Sequence, residues 1–133
     1  MAESKHLSET IARSAAEVYE YASDPANLPE WASGLGSSAE HVDGQWFVDS
    51  PDGRLTIVFA ERNDYGILDH DVTLPSGETV HNPMRVIPDG DGCEVVFTLR
   101  RAPGMTDAEL DRDAALVTVD LALLKSILED RAG

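Results

Sequence analysis

The final stretch of the chain carries one unbroken helical stripe. After Thr106-Asp107-Ala108-Glu109, the residues Leu110, Ala114, Val117, Leu121, Leu124 and Leu128 recur at steps of three and four. Thr106 with Glu109 three positions on is a capping box, in which each side chain bonds an orphan backbone amide at the other position. Leu116, Val119, Leu123 and Ile127 widen the stripe. Running to about Asp130, such a helix is about 36 Å long. A chain of 133 residues can bury so long a stripe only against a broad surface, and the rest of the sequence offers a sheet.

From residue 37 to residue 100 the apolar period is two. Clusters of Gly, Pro, Asn and Asp cut this region into the predicted strands Ser37–Val42, Gln45–Ser50, Arg54–Glu61, Ile67–Leu74, Thr79–Ile87 and Glu94–Arg100. The turns between them are Asp43-Gly44, Ser50-Pro51-Asp52-Gly53, Asn63-Asp64-Tyr65-Gly66, Pro75-Ser76-Gly77 and Pro88–Gly92. Loops this short imply an antiparallel meander. A further strand is expected over Lys5–Arg13, with Leu7 and Ile11 apolar. A second capping box, Ser14 with Glu17, opens a helix from Ala15 to about Ser23 with Val18, Tyr19 and Ala22 on one face. Asp24-Pro25 ends that helix and starts a shorter one, as N-cap and first helical residue. The shorter helix carries Leu28 and Trp31 and ends before Gly34-Leu35-Gly36. No repeat, linker or low-complexity segment interrupts the order, so one domain is expected over residues 1–133.

Charge narrows the partners. Ten Lys and Arg against twenty-five Asp and Glu give a net charge of −15. Phosphate binding needs a basic footprint, so nucleic acid is not expected as a partner, and anionic membrane surfaces are disfavoured by the same sign. No stretch approaches 18 apolar residues, so no membrane insertion is expected. The opening Met-Ala-Glu-Ser-Lys-His has no signal-peptide core, and a cytoplasmic location follows as the default. The single cysteine, Cys93, allows no intrachain disulfide and no cysteine-based zinc site. Its place in the alternation Cys93-Val95-Phe97-Leu99 fits a small buried hydrophobe.

The run Ile11-Ala12-Arg13-Ser14-Ala15-Ala16-Glu17-Val18-Tyr19-Glu20-Tyr21-Ala22-Ser23-Asp24-Pro25-Ala26-Asn27-Leu28-Pro29-Glu30-Trp31 resembles the opening of the START/Bet v 1-like superfamily. That superfamily, also called SRPBCC, includes polyketide cyclase/dehydrase and lipid-transport proteins. The similarity of element order covers essentially the whole chain. The resemblance implies an α+β helix-grip fold, with a seven-stranded antiparallel sheet wrapped around the C-terminal helix and two short helices after the first strand. It also implies a cavity between sheet and helix for a small hydrophobic or aromatic ligand, such as a lipid or polyketide. Some members are cyclases or aromatases and many are not enzymes, so a cyclase/dehydrase-like activity stays open. The glycine-rich loop with a lysine found in the plant pathogenesis-related members is missing here, so their ligand habits do not carry over.

Alternation assigns faces without the family. Leu68, His70, Val72 and Leu74 form the more apolar face of one strand, and Val80, Asn82, Met84 and Val86 that of the next. Pairing Pro75 with Thr79 across Ser76-Gly77-Glu78 puts His70 opposite Met84, Val72 opposite Asn82, and Asp69 opposite Arg85 on the other face. Ile57, Phe59 and Glu61 point inward from one strand, Val95, Phe97 and Leu99 from another, and Trp46 and Val48 from a third. Trp31 stands at the cavity mouth or beneath the short helices as a core anchor. Only the middle of the long helix, near Val117, Leu121 and Leu124, should border a cavity. The expected ligand-binding set is thus Trp31, Trp46, Ile57, Phe59, Leu68, His70, Val72, Asn82, Met84, Val95, Phe97, Val117, Leu121 and Leu124.

Asp69-His70-Asp71 with His81 suggests a metal site at first sight, but adjacent strand residues point to opposite faces. The outward trio Asp69, Asp71 and His81 is better explained by a cross-strand pair between Asp69 and Arg85. No metal and no cofactor are expected. His70, Asn82 and Glu61 are the candidate reactive groups. An unpaired buried polar group costs about 1–3 kcal/mol, so these three should bond one another, a buried water or a ligand. An imidazole in a dry cavity could also move a proton in an enolisation or cyclisation–dehydration. No Gly-x-Ser-x-Gly, phosphate loop or His-Glu-x-x-His points to other chemistry. The rival reading is a regulatory or interaction module with a filled core, acting through its acidic surface. A homodimer is compatible with either reading, though no exposed stripe marks an interface.

Overall fold

The computed structural model describes residues 3–32, 38–51 and 53–131. The first strand, β1 (Ser4–Ile11), leads through the Ser14 cap into α1 (Ala15–Ala22). Ser14 Oγ accepts from the Glu17 amide at 3.2 Å. Asp24 then caps a 3₁₀ turn, Pro25–Asn27, that runs on into the single α-turn α2 (Leu28–Trp31). The one short helix expected here is therefore two pieces. The predicted stop at Gly34-Leu35-Gly36 and the strand start at Ser37 lie outside the described residues, as does Asp52 of the second turn.

Seven more strands follow: β2 (Ser38–Val42), β3 (Gln45–Ser50), β4 (Gly53–Phe59), β5 (His70–Thr73), β6 (Thr79–Asn82), β7 (Met84–Asp89) and β8 (Gly92–Arg100). All pairings are antiparallel. They form not one seven-stranded sheet but two, β2-β3-β4-β5-β6 and β1-β8-β7. The division falls at Pro83, which has no N–H to give a ladder and splits the expected strand Thr79–Ile87. Asp69 finishes the corner: its carboxylate accepts from the Met84 amide at 2.9 Å and pairs with the Arg85 guanidinium. A bridge between Ile67 and Arg85 and the bonds Leu68 N to Met84 O and Val86 N to Gly66 O, both 2.9 Å, carry the β4–β5 loop across to β7.

The β5–β6 hairpin pairs His70 with Asn82 and Thr73 with Thr79, two residues away from the predicted register. Leu74 N bonds Glu78 O at 2.8 Å, so the loop is Pro75-Ser76-Gly77. Gly77, with φ of 93°, thereby takes the last loop position, where a three-residue hairpin requires a left-handed residue. The predicted register put that glycine mid-loop. A slip of two keeps every side chain on its face, which is why the inward set survives while His70–Met84 and Val72–Asn82 do not. Asp69 reaches Arg85 diagonally instead of from directly opposite.

The long helix, α3 (Asp107–Asp130), has both halves of its capping box. It is tied along β1 at two places. Near its start Asp111 pairs with Lys5 at 2.8 Å. Near its end the Ala12 amide donates to Glu129 at 2.8 Å, and Lys125 donates to the Thr10 carbonyl at 2.7 Å. Arg13 donates to the Leu128 and Glu129 carbonyls at 3.0 and 2.9 Å, capping a terminus whose last turn has no basic residue of its own. Leu121, Leu124 and Leu128 enter the core beside Ile11, Val18, Ala22, Leu55, Met84, Val86 and Val95. Leu116 and Val119 do not widen the buried stripe, because both are exposed. Cys93 is fully buried between Ile11 and Pro88, and burial pushes its thiol pKa up, as an inert hydrophobe requires. Among the described residues no helix is long and apolar enough to cross a membrane.

Candidate functional site

A pocket of about 240 Å³ opens where β5, β6 and β8 face α2 and the N-terminal half of α3. The strands supply His70, Val72, Val80, Asn82, Phe97 and Leu99. The helices supply Leu28, Trp31, Ala32, Asp113, Leu116, Val117, Asp120 and Leu121. Strand alternation puts His70 and Val72 on the inner face of β5. The 3₁₀ turn that starts at Pro25 leads into α2, whose Leu28 and Trp31, 3% and 4% exposed, line the pocket.

His70 is the one buried polar side chain among the described residues, at 8% exposed. Its ring lies between Phe59 and Phe97, with centroids 5.0 and 5.9 Å away. Nδ1 stands 2.9 Å from the Leu68 carbonyl oxygen. A carbonyl can only accept, so the neutral ring keeps its proton on Nδ1 and presents Nε2 as a bare acceptor. Burial lowers the His70 pKa, the Leu68 carbonyl opposing that only in part. The ring is thus neutral near pH 7. Asn82 is its cross-strand neighbour, half-buried, and the two side chains do not bond each other. Across the pocket Asp120 is half-buried on α3, and desolvation pushes its pKa up from 3.8 to about 6. The indole Nε1 of Trp31 is buried and finds no acceptor among the described residues.

The predicted site residues divide into three groups. Trp31, His70, Val72, Asn82, Phe97, Val117 and Leu121 line the pocket. Ile57, Leu68, Met84, Val95 and Leu124 are buried in the packed core instead, and Phe59 sits behind His70. Trp46 is half-buried and stacks on His41 at 4.8 Å, away from the pocket. Glu61 does not join His70: β4 ends at Phe59, and Glu61 is exposed beyond it. Lining residues outside the predicted binding set are Leu28, Ala32, Leu116, Asp113 and Asp120, together with Val80 and Leu99, which alternation already turns inward. A signal for the acids was present, since Asp113, Val117 and Asp120 are spaced four and three apart and so share a helix face.

Asp69, Asp71 and His81 do gather on the outer face, but in separate pairwise contacts. His81 Nδ1 lies 2.6 Å from Asp71, and Asp69 is engaged by Arg85 and the Met84 amide. No group of three or more His, Cys, Asp or Glu suited to a metal ion occurs among the described residues. A larger hollow, about 490 Å³, lies between α1, the β4–β5 loop and β7. Its half-buried polar groups are already committed, and its remaining ones, the Asp64 and Tyr65 side chains, are exposed. Tyr19 Oη accepts from the Asn63 amide at 3.0 Å, Arg62 pairs with Glu20, and Asn63 bonds back to its own loop. The smaller pocket, with the buried imidazole, is therefore the better site.

The helix gripped by antiparallel sheets, with α1, a 3₁₀ turn and α2 after the first strand, is the decisive architecture. Residues 4–126 match the family model described as polyketide cyclase / dehydrase and lipid transport. The chain belongs to that family. With it comes membership of the START/Bet v 1-like superfamily, and solved structures share the fold. The protein XoxI from Bacillus cereus is similar at a TM-score of 0.77 and 15% identity, over 100% of this chain and 99% of its own. The Zhui aromatase/cyclase of a Streptomyces species is similar at 0.72 and 16%, over 100% and 97%. Truncated norcoclaurine synthase from Thalictrum flavum is similar at 0.64 and 15%, over 97% and 95%. No curated protein matches the chain. At these identities the solved structures speak for the fold of this polyketide cyclase/dehydrase family member, and its chemistry has to be argued from its own residues.

Proposed function

We propose that this family member binds a small, largely apolar ligand in the pocket between β5, β6, β8, α2 and α3. The observation that carries the reading is His70: a buried neutral imidazole with a free Nε2 acceptor on an apolar pocket wall. Nε2 has no donor among the described residues, and a ligand hydroxyl or amine would supply one. The hollow beside it supports a ligand-binding protein over a module with a filled core. The family's cyclase and dehydrase members give a second reading, proton transfer. Its support is the same Nε2 as base, with Asp120, whose pKa is raised to about 6, as a further titrating group in the pocket.

Binding is tested with a neutral naphthyl alcohol followed by fluorescence. Saturable binding is expected, with His70→Ala weakening it about tenfold, the loss of one hydrogen bond to Nε2. No saturable binding, with the folded protein verified by circular dichroism, would sink the proposal. Proton transfer is tested separately, by exchange of an acidic C–H of a bound aromatic β-ketone into deuterated water. Exchange that survives His70→Ala unchanged rules His70 out as the base.

A further inference from the structure

We propose that the pocket selects a cationic ligand, an apolar body bearing a protonated amine or comparable group, and rejects carboxylates. This rests on the binding reading above and adds the ligand's charge to it. The walls carry two carboxylates, Asp113 and Asp120, and no Lys or Arg. His70 from β5 is the other titratable lining group, and it is neutral. The lining residues from α2, β6 and β8 are all uncharged. At neutral pH the pocket is therefore negative, with nothing inside it to balance the charge.

Asp120 differs in this from Glu129 and Asp69, two half-buried acids on other faces of the molecule. Glu129 is met by Lys125 at 2.9 Å and by the Ala12 amide. Asp69 is met by Arg85 and the Met84 amide. Asp120 has no ion pair and no hydrogen bond among the described residues, although desolvation alone is enough to push its pKa to about 6. A carboxylate held half out of water without a counter-ion is a standing cost, which an arriving cation removes and an arriving anion worsens. Two further features of the same walls fit a cation with an apolar body. His70 Nε2 accepts from an N–H, and the aromatic faces of Trp31 and Phe97 attract positive charge. A fatty acid would meet the opposite: two like charges and no donor other than the Trp31 and Asn82 side chains.

The test compares naphthylethylamine, naphthylethanol and naphthylacetate, which share a ring and differ in charge, on the full chain at pH 7.5. The amine is expected to bind about tenfold tighter than the alcohol, and the acetate more weakly than either. In Asp120→Asn the amine's advantage over the alcohol should fall to within about twofold. Amine affinity in the wild-type protein should also drop as pH falls through about 6, where Asp120 takes up its proton. Equal binding of amine and alcohol, or an amine advantage unchanged by Asp120→Asn, overturns the charge inference while leaving the pocket intact. Absence of binding by all three probes overturns the binding reading itself.

Discussion

From Leu121 to Leu128, α3 is packed solid. Leu121, Leu124 and Leu128 are 2%, 0% and 0% exposed and lie within the contiguous core, with Arg13, Lys125 and Glu129 clamping the end to β1. From Asp113 to Asp120 the same helix has the same apolar spacing, yet Leu116 is 48% exposed and Val117 only flanks the core. Leu110, fully buried, resumes the packing on the far side but outside the main cluster. The difference lies in what faces each half. The C-terminal half packs its leucines into the core and is clamped to the end of β1, whereas the N-terminal half faces α2, β5, β6 and β8 across the pocket. One helix thus serves as a structural rod over half its length and as a pocket wall over the other. The two acids on the wall, Asp113 and Asp120, are tolerable there and would be ruinous at Leu124.

The comparison can be broken by truncation on either side of it. Leu124→Ala should cost about 3–4 kcal/mol in a denaturant titration, since a fully buried leucine leaves a cavity that packed neighbours cannot fill. Val117→Ala should cost less than about 1 kcal/mol, because its methyl groups already face empty space, and should instead alter naphthyl-probe affinity. Equal costs at the two sites would mean that the wall is packed like the core. The clamp comes next in size. Arg13→Ala removes two bonds to the last carbonyls of α3 and should cost about 1–2 kcal/mol without changing probe binding. A loss of binding as large as the loss of stability would show that the two halves move as one.

Sequence pattern reached the packed half better than the wall. The long helix was legible to within a residue because the Thr106–Glu109 box and the leucine spacing are local signals. So were the Asp43-Gly44 turn, with φ of 51° and 80°, and the Ser14 cap. The split into two sheets was not, because Pro83 marks a break only once one knows that Asp69 bonds the Met84 amide from across the corner. The inward face of His70 followed from alternation. Its distance from Glu61 did not, since nothing local ends β4 at Phe59. The tertiary gap that makes Asp120 a wall residue arises from how α2 sits against α3, which no periodicity encodes.

Acidity sharpens the comparison further, with the smallest effects. Asp120 has a pKa raised from 3.8 to about 6 in the folded state, so between those values the folded chain holds more protons than the unfolded one. Its contribution therefore favours folding as pH falls through that window, and above pH 6 the ionised group destabilises. Asp120→Asn should accordingly be more stable than wild type at pH 8, by about 1 kcal/mol once solvent screening of a half-buried group is discounted, and the advantage should fade by about pH 4. His70 works in the other direction. Its folded pKa lies below 6.5, so the unfolded chain takes up the proton first and stability is lost as pH drops below 6.5. His70→Asn, whose amide nitrogen can keep the bond to the Leu68 carbonyl, should lose that part of the acid sensitivity. Subtracting each variant's stability-versus-pH curve from the wild-type curve removes the background from the −15 charge. Difference curves that slope the same way with pH would contradict the two burial effects, one acid and one base desolvated in the same pocket.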